Sequence, residues 1–435
     1  MGTLLGIGIL ALWAVALVLL MRGQAMVPVL VTLAVAWGII TGAGWKIPTE
    51  IIDGGILSYA GTTMVIIMGA WMAEALVQTG IAETLIRNAA ELAGDKPIAM
   101  AVAMILVITF LFTSLYGVGA AVMIGVIALP IMLSMGIPTQ VAAPLFTMSI
   151  IAGIQLSLIE WGIWSKLFGI TKPFNEYFGV YIAQLCVWVV MAIVLAVVKI
   201  RAAGPVRTHS VRIDSGYGTP GAAEGAGPGQ KAPWFALLTP IVPVAGVMLF
   251  RWPVTAAFLV GVTCALLATI HHRPFKDTVD LFQKAFYDGF RSMAPVCAVW
   301  LIIGCIIKAS SLPEVQAPLK QLLGGVLPTT TTGVAIFLAV AAPLAIYRGP
   351  MCLAGVGAAL VPIFLGMKTL NPGFLLAAWK GTNYVHGTTD PINSWTLWTL
   401  GYLKITGAQH IRTALPFTWA AAALSALVAL FMLGS

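Results

Sequence analysis

Trp161-Gly-Ile-Trp164, with Leu-Phe-Gly-Ile-Thr171 shortly after it, is answered late in the chain by Trp395-Thr-Leu-Trp398, with Leu-Gly-Tyr-Leu-Lys-Ile-Thr406 shortly after. Laid over each other at a spacing of about 229 to 235 residues, the two stretches extend into an internal repeat. Gly153 falls on Gly387, and Trp71 on Trp300. The run from Tyr116 through Pro130 and Met135 to Pro138 falls on that from Tyr347 through Pro362 and Met367 to Pro372, with small insertions. Chance matches are common in a chain rich in Ala, Leu, Val and Gly, but ordered prolines and aromatics around a WxxW pair are not.

The repeat is written in apolar residues. Of 435 residues, 60% are hydrophobic and 9% charged, and the mean hydropathy is +0.99, far from a soluble composition. Apolar runs long enough to span a bilayer recur from Gly2–Met21, read as a retained first helix, to residues 413–433. They form two series of about seven. Between the series lies Ala202 to Lys231, dense in Gly, Pro, Ser and charge, which cannot bury apolar surface and reads as a flexible linker. The expected fold is an all-α polytopic membrane protein with a first repeat over 1–200, a linker over 201–233 and a second repeat over 234–435.

An odd number of crossings per half would invert one copy relative to the other, as in many secondary transporters. Loop charge supports inversion. Lys199, Arg201, Arg207, Arg212 and Lys231 place the linker in the cytoplasm by the positive-inside rule. The connection from His271 to Arg291 carries Arg273, Lys276, Lys284 and Arg291, whereas its repeat counterpart, Lys46 to Tyr59, carries only Lys46. The net charge of +8 is therefore one of membrane orientation, with no basic arm or patch for nucleic acid. The five cysteines and five histidines show no metal-ligand spacing, so neither a metal nor another cofactor is expected.

Polar breaks at membrane depth are tolerated only where backbone is packed in protein or lines a cavity. Thr113-Ser-Leu-Tyr-Gly-Val-Gly119 is one such break, and Ala345-Ile-Tyr-Arg-Gly-Pro350 is its repeat counterpart. Paired breaks are where half-helix ends aim dipoles and free N–H groups at a substrate. They nominate Ser114, Tyr116, Gly117 and Gly119 in the first half and Tyr347, Arg348 and Gly349 in the second. Arginine's fork fits a carboxylate, so Arg348 points to an anion, with an ion pair to Glu160 or Asp390 as its structural alternative. A polar turn follows each break. Gln155 and Ser157 in the first, and Thr388, Thr389, Asn393 and Ser394 in the second, offer amides and hydroxyls for a carboxylate or a cation. Asp390 before Pro391 favours unwinding there. Asp390, Glu160 and Glu74 are the carboxylates available for coupling to H⁺ or Na⁺, with His386 as a possible proton relay. Glu160 beside Trp161 has an alternative as an interface residue, and Glu74 as half of an ion pair across the bundle.

In its two halves around a central linker, its paired breaks and its polar turns, the sequence resembles the ion transporter superfamily. That group holds gluconate, citrate and C4-dicarboxylate carriers and some Na⁺/H⁺ antiporters. The resemblance implies a scaffold and a moving transport domain per protomer, a homodimer in a bacterial cytoplasmic membrane, and secondary active transport of a small organic anion with H⁺ or Na⁺. A cation/proton antiporter on the same scaffold is the rival. A membrane enzyme lacks the clustered Asp/His loop it would need, so no catalytic residue is assigned. A channel has no need of paired breaks.

Overall fold

In the computed structural model, residues 2–204, 231–323, 325, 327–366 and 370–434 are described. The first half runs α1 (Gly2–Met21), α2 (Met26–Ile40), a π-helical stretch at Ile47–Asp53 leading into α3 (Gly54–Gln78), α4 (Ile81–Ala93), α5 (Pro97–Phe112), α6 (Val118–Ser134), α7 (Thr139–Ile154), α8 (Leu158–Leu167) and α9 (Phe178–Ala203). The second opens with a 3₁₀ stretch at Trp234–Ile241. It continues through α10 (Val242–Phe250), α11 (Val254–Ala268), α12 (Phe275–Ser311), α13 (Pro313–Leu323) and α14 (Thr331–Ala341) to 3₁₀ turns at Ala342–Arg348 and Val356–Leu360, then α15 (Val361–Gly366), α16 (Pro372–Thr389), α17 (Ser394–Leu403) and α18 (Gly407–Leu433). The protein is an all-α polytopic membrane protein. Most of the expected linker, residues 205–230, lies outside the described residues, as does Met367.

Among the described residues, six helices are long and apolar enough to cross a bilayer, or seven if α7 and α8 make one bent span. The other apolar runs are helices of 10–17 residues, so fewer of the two series of runs span by themselves than hydropathy implies. The connection expected from His271 to Arg291 is largely helix, because α12 continues for 37 residues from Phe275. Its N-terminal turns carry the charges on exposed positions, and helical geometry needs no apolar environment to persist.

Helices that the repeat equates lie against each other in antiparallel pairs. Along α3 and α12, Gly55 meets Gly304, Tyr59 stacks on Trp300, and the Trp71 backbone meets Gly289. Between α7 and α16, the Thr147 hydroxyl donates to the Thr388 carbonyl and Lys380 donates to the Gln155 carbonyl. Between α9 and α18, Gln184 donates to the Ser425 carbonyl while Gly179 approaches Met432. Equivalent helices running in opposite directions are what an inverted repeat produces.

Charge follows the same symmetry. Arg273, just before α12, donates to the carbonyl of Gln78 at the end of α3, and Lys231 and Ala232 contact Glu91 and Thr84 of α4. The end of the linker and the basic start of α12 thus share one end of the bundle. At the other end Lys46 pairs with Glu314 of α13 at 2.5 Å, and this ammonium holds the Glu314 carboxyl below its ordinary range. Lys320 donates to the Gly366 carbonyl at the end of α15.

The α3–α12 crossing depends on glycine. A Cβ at Gly304 would lie 2.2 Å from the Gly55 carbonyl oxygen, a backbone atom that no rotamer change can move. Gly304→Ala should destabilise the protein by about 1 to 3 kcal/mol, read as a lower midpoint of thermal unfolding in detergent. Gly61 of the same pair faces open space, and Gly61→Ala should leave the midpoint unchanged or raise it.

Candidate functional site

The first break begins where α5 ends at Phe112. The Ser114 hydroxyl donates to the Pro240 carbonyl, tying the break to the start of the second half. Gly117 takes φ 93°, which favours glycine, and a Cβ there would press on the Met293 side chain. Gly119 packs beside Ser292 and the Glu74 carboxylate. Glu74 itself accepts from Gln78, whose amide also donates to Asp288, both at 3.1 Å. No ion pair to Glu74 occurs among the described residues.

In the second break the chain turns at two consecutive left-handed residues, Tyr347 at φ 56° and Arg348 at φ 57°. Side chains at such angles are strained and persist only when their surroundings hold them. Asp390 does the holding. Its Oδ2 accepts the Arg348 N–H at 3.1 Å and lies 2.7 Å from His386 Nδ1, while its Oδ1 accepts the Ile392 N–H at 3.0 Å. Helix α16 stops at Thr389, and Asp390 is extended before Pro391, as the Asp-Pro pair favours. The Arg348 guanidinium donates to the Ala354 carbonyl at 2.9 Å, bracing the turn from within. Gly349 is extended and buried, and Tyr347 is more than one-third exposed.

Between the breaks lies a buried ionic centre. Helices α7 and α8 meet at a bend of 71° across Gln155-Leu-Ser157, which turns Glu160, in the first turn of α8, into the protein. Its side chain is 3% exposed. It accepts hydrogen bonds from Trp164 Nε1 and the Tyr384 and Tyr116 hydroxyls. Lys380 of α16, 1% exposed, has its ammonium 5.7 Å from the centroid of the Tyr384 ring whose hydroxyl bonds Glu160, and no direct ion pair joins the two among the described residues. Its ammonium gives one hydrogen bond to the Gln155 carbonyl at 3.2 Å and otherwise lies over the Tyr181 ring, 4.0 Å from the centroid. Around it the Gln155 amide, the Ser157 hydroxyl and the Tyr181 hydroxyl are buried without a protein partner. Buried polar groups are normally satisfied, so this cluster of open donors and acceptors is the candidate binding site.

The residues nominated by sequence divide accordingly. Tyr116, Gln155, Ser157 and Glu160 come together around Lys380. Arg348, Gly349, His386, Asn393 and Asp390 form the neighbouring second break. Thr388 is bonded back to its own helix and Thr389 to Thr418. Asn393 caps α17 by accepting the Trp395 N–H. Ser394 is exposed and faces away, and Glu74 belongs to a separate group with Gln78 and Asp288. Trp161 is buried among Phe174, Tyr177 and Tyr181. Sequence reasoning does not single out Lys380, Tyr181 or Tyr384. For Lys380 the signal is present as a lone charge inside an apolar run; the two tyrosines have none.

No protein-family model matches the chain, and no curated protein matches it. Solved structures do. The Alcanivorax borkumensis YdaH transporter aligns over 89% of this chain and 89% of its own length, with a TM-score of 0.58 at 14% identity. Neisseria gonorrhoeae MtrF, described as illuminating a class of antimetabolite efflux pumps, aligns over 89% of this chain and 83% of its own, with a TM-score of 0.51 at 14% identity. Their fold is the one this chain adopts.

Proposed function

We propose that the protein is a secondary active transporter that carries a small organic anion, a carboxylate, across the cytoplasmic membrane in exchange for the energy of an H⁺ or Na⁺ gradient. The observation that carries the reading is the buried Lys380 ammonium, one hydrogen bond spent, among the unpartnered polar groups of Gln155, Ser157 and Tyr181. A cation held in a low-dielectric interior is an anion site, and a charge deep in a membrane protein marks a solute pathway. The site is closed to solvent in this conformation, so access from either side requires movement of the broken segments, as alternating access supposes. Similarity of fold to YdaH and MtrF, both transporters by description, supports the same reading. So does the resemblance to the ion transporter superfamily, which further implies a cytoplasmic linker and a homodimer.

The test is uptake of labelled gluconate, citrate and succinate by proteoliposomes under imposed pH and Na⁺ gradients. Transport of Na⁺ and H⁺ with none of the organic anions would overturn the anion reading in favour of a cation/proton antiporter. Arg348, which braces the second break and is tied through its N–H to Asp390 at the end of α16, supports the anion site at a distance. Arg348→Ala should lower kcat/KM for uptake by at least about tenfold in protein shown to be folded and inserted. Unchanged kinetics for every transported anion would remove Arg348 from the site.

A further inference from the structure

We propose that Lys380 anchors the transported anion and that Glu160 is its built-in stand-in, so that each anion bound brings one proton onto the Glu160 carboxylate. This rests on the anion-transport reading above and adds to it the coupling ion and the pair of residues that does the coupling.

We take Lys380 as an ammonium and Glu160 as a carboxylate, whose charges balance; both are buried and both stand against Tyr384, the ammonium 5.7 Å from its ring centroid and the carboxylate 3.2 Å from its hydroxyl. An anion arriving at Lys380 would leave the interior with an uncompensated negative charge, which a low-dielectric medium penalises heavily. A proton taken up with it restores the balance. The proton bonds to a Glu160 oxygen, the anion takes the Lys380 ammonium, and the net charge of the site is the same before and after.

The surroundings of Glu160 favour a proton over Na⁺. Hard cations are held by a shell of oxygens. Glu160 is instead faced by donors: Trp164 Nε1–H from its own helix, the Tyr116 hydroxyl from the first break and the Tyr384 hydroxyl from α16, with the Lys380 ammonium of α16 bonded to the Gln155 carbonyl nearby. From α9, Tyr181 packs on Trp161, the residue next to Glu160, as does Tyr177 just before that helix. The Arg348 guanidinium is bonded to the Ala354 carbonyl. Tyrosines keep their protons at neutral pH, so among these neighbours the carboxylate is the proton acceptor. Asp390 is not an equivalent alternative, because its oxygens are already taken by His386 and by two backbone N–H groups.

The full-length protein, purified in detergent and weak buffer with a pH-indicating dye, is titrated with gluconate, citrate and succinate in turn. At least one should bind with uptake of one proton per anion, its affinity falling about tenfold per unit rise in pH and indifferent to replacement of K⁺ by Na⁺. Glu160→Gln copies the protonated carboxyl and should bind the same anion with no proton uptake and no pH dependence. The double variant Lys380→Met with Glu160→Gln keeps the buried charge balanced, and should fold yet bind at least about tenfold more weakly than Glu160→Gln alone. Proton uptake that survives Glu160→Gln, or affinity that survives the double variant, overturns the coupling pair while leaving anion transport standing. Failure of folded wild-type protein to bind or transport any of the three overturns the anion reading itself.

Discussion

Lys380→Met should lower the stability of the folded protein by about 3 to 5 kcal/mol, and adding Glu160→Gln in the same chain should restore most of it. The first half of this expectation follows from burial. Every residue of α16 from Gly373 to Thr389 is buried, so Lys380 has no route by which its long side chain could carry the ammonium to an interface. Methionine keeps the stem and the volume but removes the charge, leaving the Glu160 carboxylate alone in the interior. The second half follows because breaking a buried pair is costly chiefly through the charge left behind. A carboxamide at 160 still accepts from Trp164 and the tyrosines and needs no counter-charge. Thermal unfolding of the four proteins in one detergent supplies the cycle. A double variant no more stable than Lys380→Met would mean that the two charges are independent. Glu314→Gln, which breaks the exposed pair with Lys46, should by contrast scarcely change the unfolding midpoint, because solvent screens that pair.

The same pair shows what the sequence could and could not convey. The two WxxW segments become α8 and α17, each placed directly after a break, because a period-3.6 aromatic pair and the polar turn before it are both local features. The end of α16 at Asp390 is local too, set by the proline that follows. Opposed loop charge anticipates the antiparallel pairing of α3 with α12, since a chain that must place its basic connections on one side has few ways to arrange two copies. The partnership of Glu160 with Lys380 is different in kind. It exists because the bend at Gln155-Leu-Ser157 tucks α8 inward and because α7 lies antiparallel to α16; the polar turn and the inverted repeat foreshadow both, but not which side chains they bring together. Read linearly, Glu160 beside Trp161 looks like an interface residue, and Lys380 disappears into an apolar run. Arg348 draws attention for the opposite reason, as a charge beside a visible break, yet its guanidinium bonds the Ala354 carbonyl of its own turn.

Asp390→Ala should destabilise the protein by about 3 to 5 kcal/mol, for a reason unrelated to ion coupling. The carboxylate is fully buried and satisfies the Arg348 N–H, the Ile392 N–H and His386 together. Charge-assisted bonds of this kind are each stronger than neutral ones, and alanine would orphan every donor at once. The Arg348 N–H matters most, because it belongs to a residue in the left-handed region whose conformation that bond helps to hold. Without it the second break should relax and transport should fall with stability. Asp390→Asn retains one acceptor oxygen and should lose about 1 to 3 kcal/mol, less than alanine. The comparison separates two roles for a buried carboxylate. If Asp390 is the brace, the surviving Asp390→Asn protein should carry fewer anions per second with the wild-type ratio of protons to anions, since the titrating group is elsewhere. If Asp390 carries the coupled ion, as its position in the sequence first implies, Asp390→Asn should abolish coupling in a protein of nearly wild-type stability. The measured ratio of proton to anion flux, set beside the unfolding midpoint, distinguishes the two. The geometry favours the brace, because a carboxylate whose oxygens are already shared among three donors has little left to offer a travelling ion.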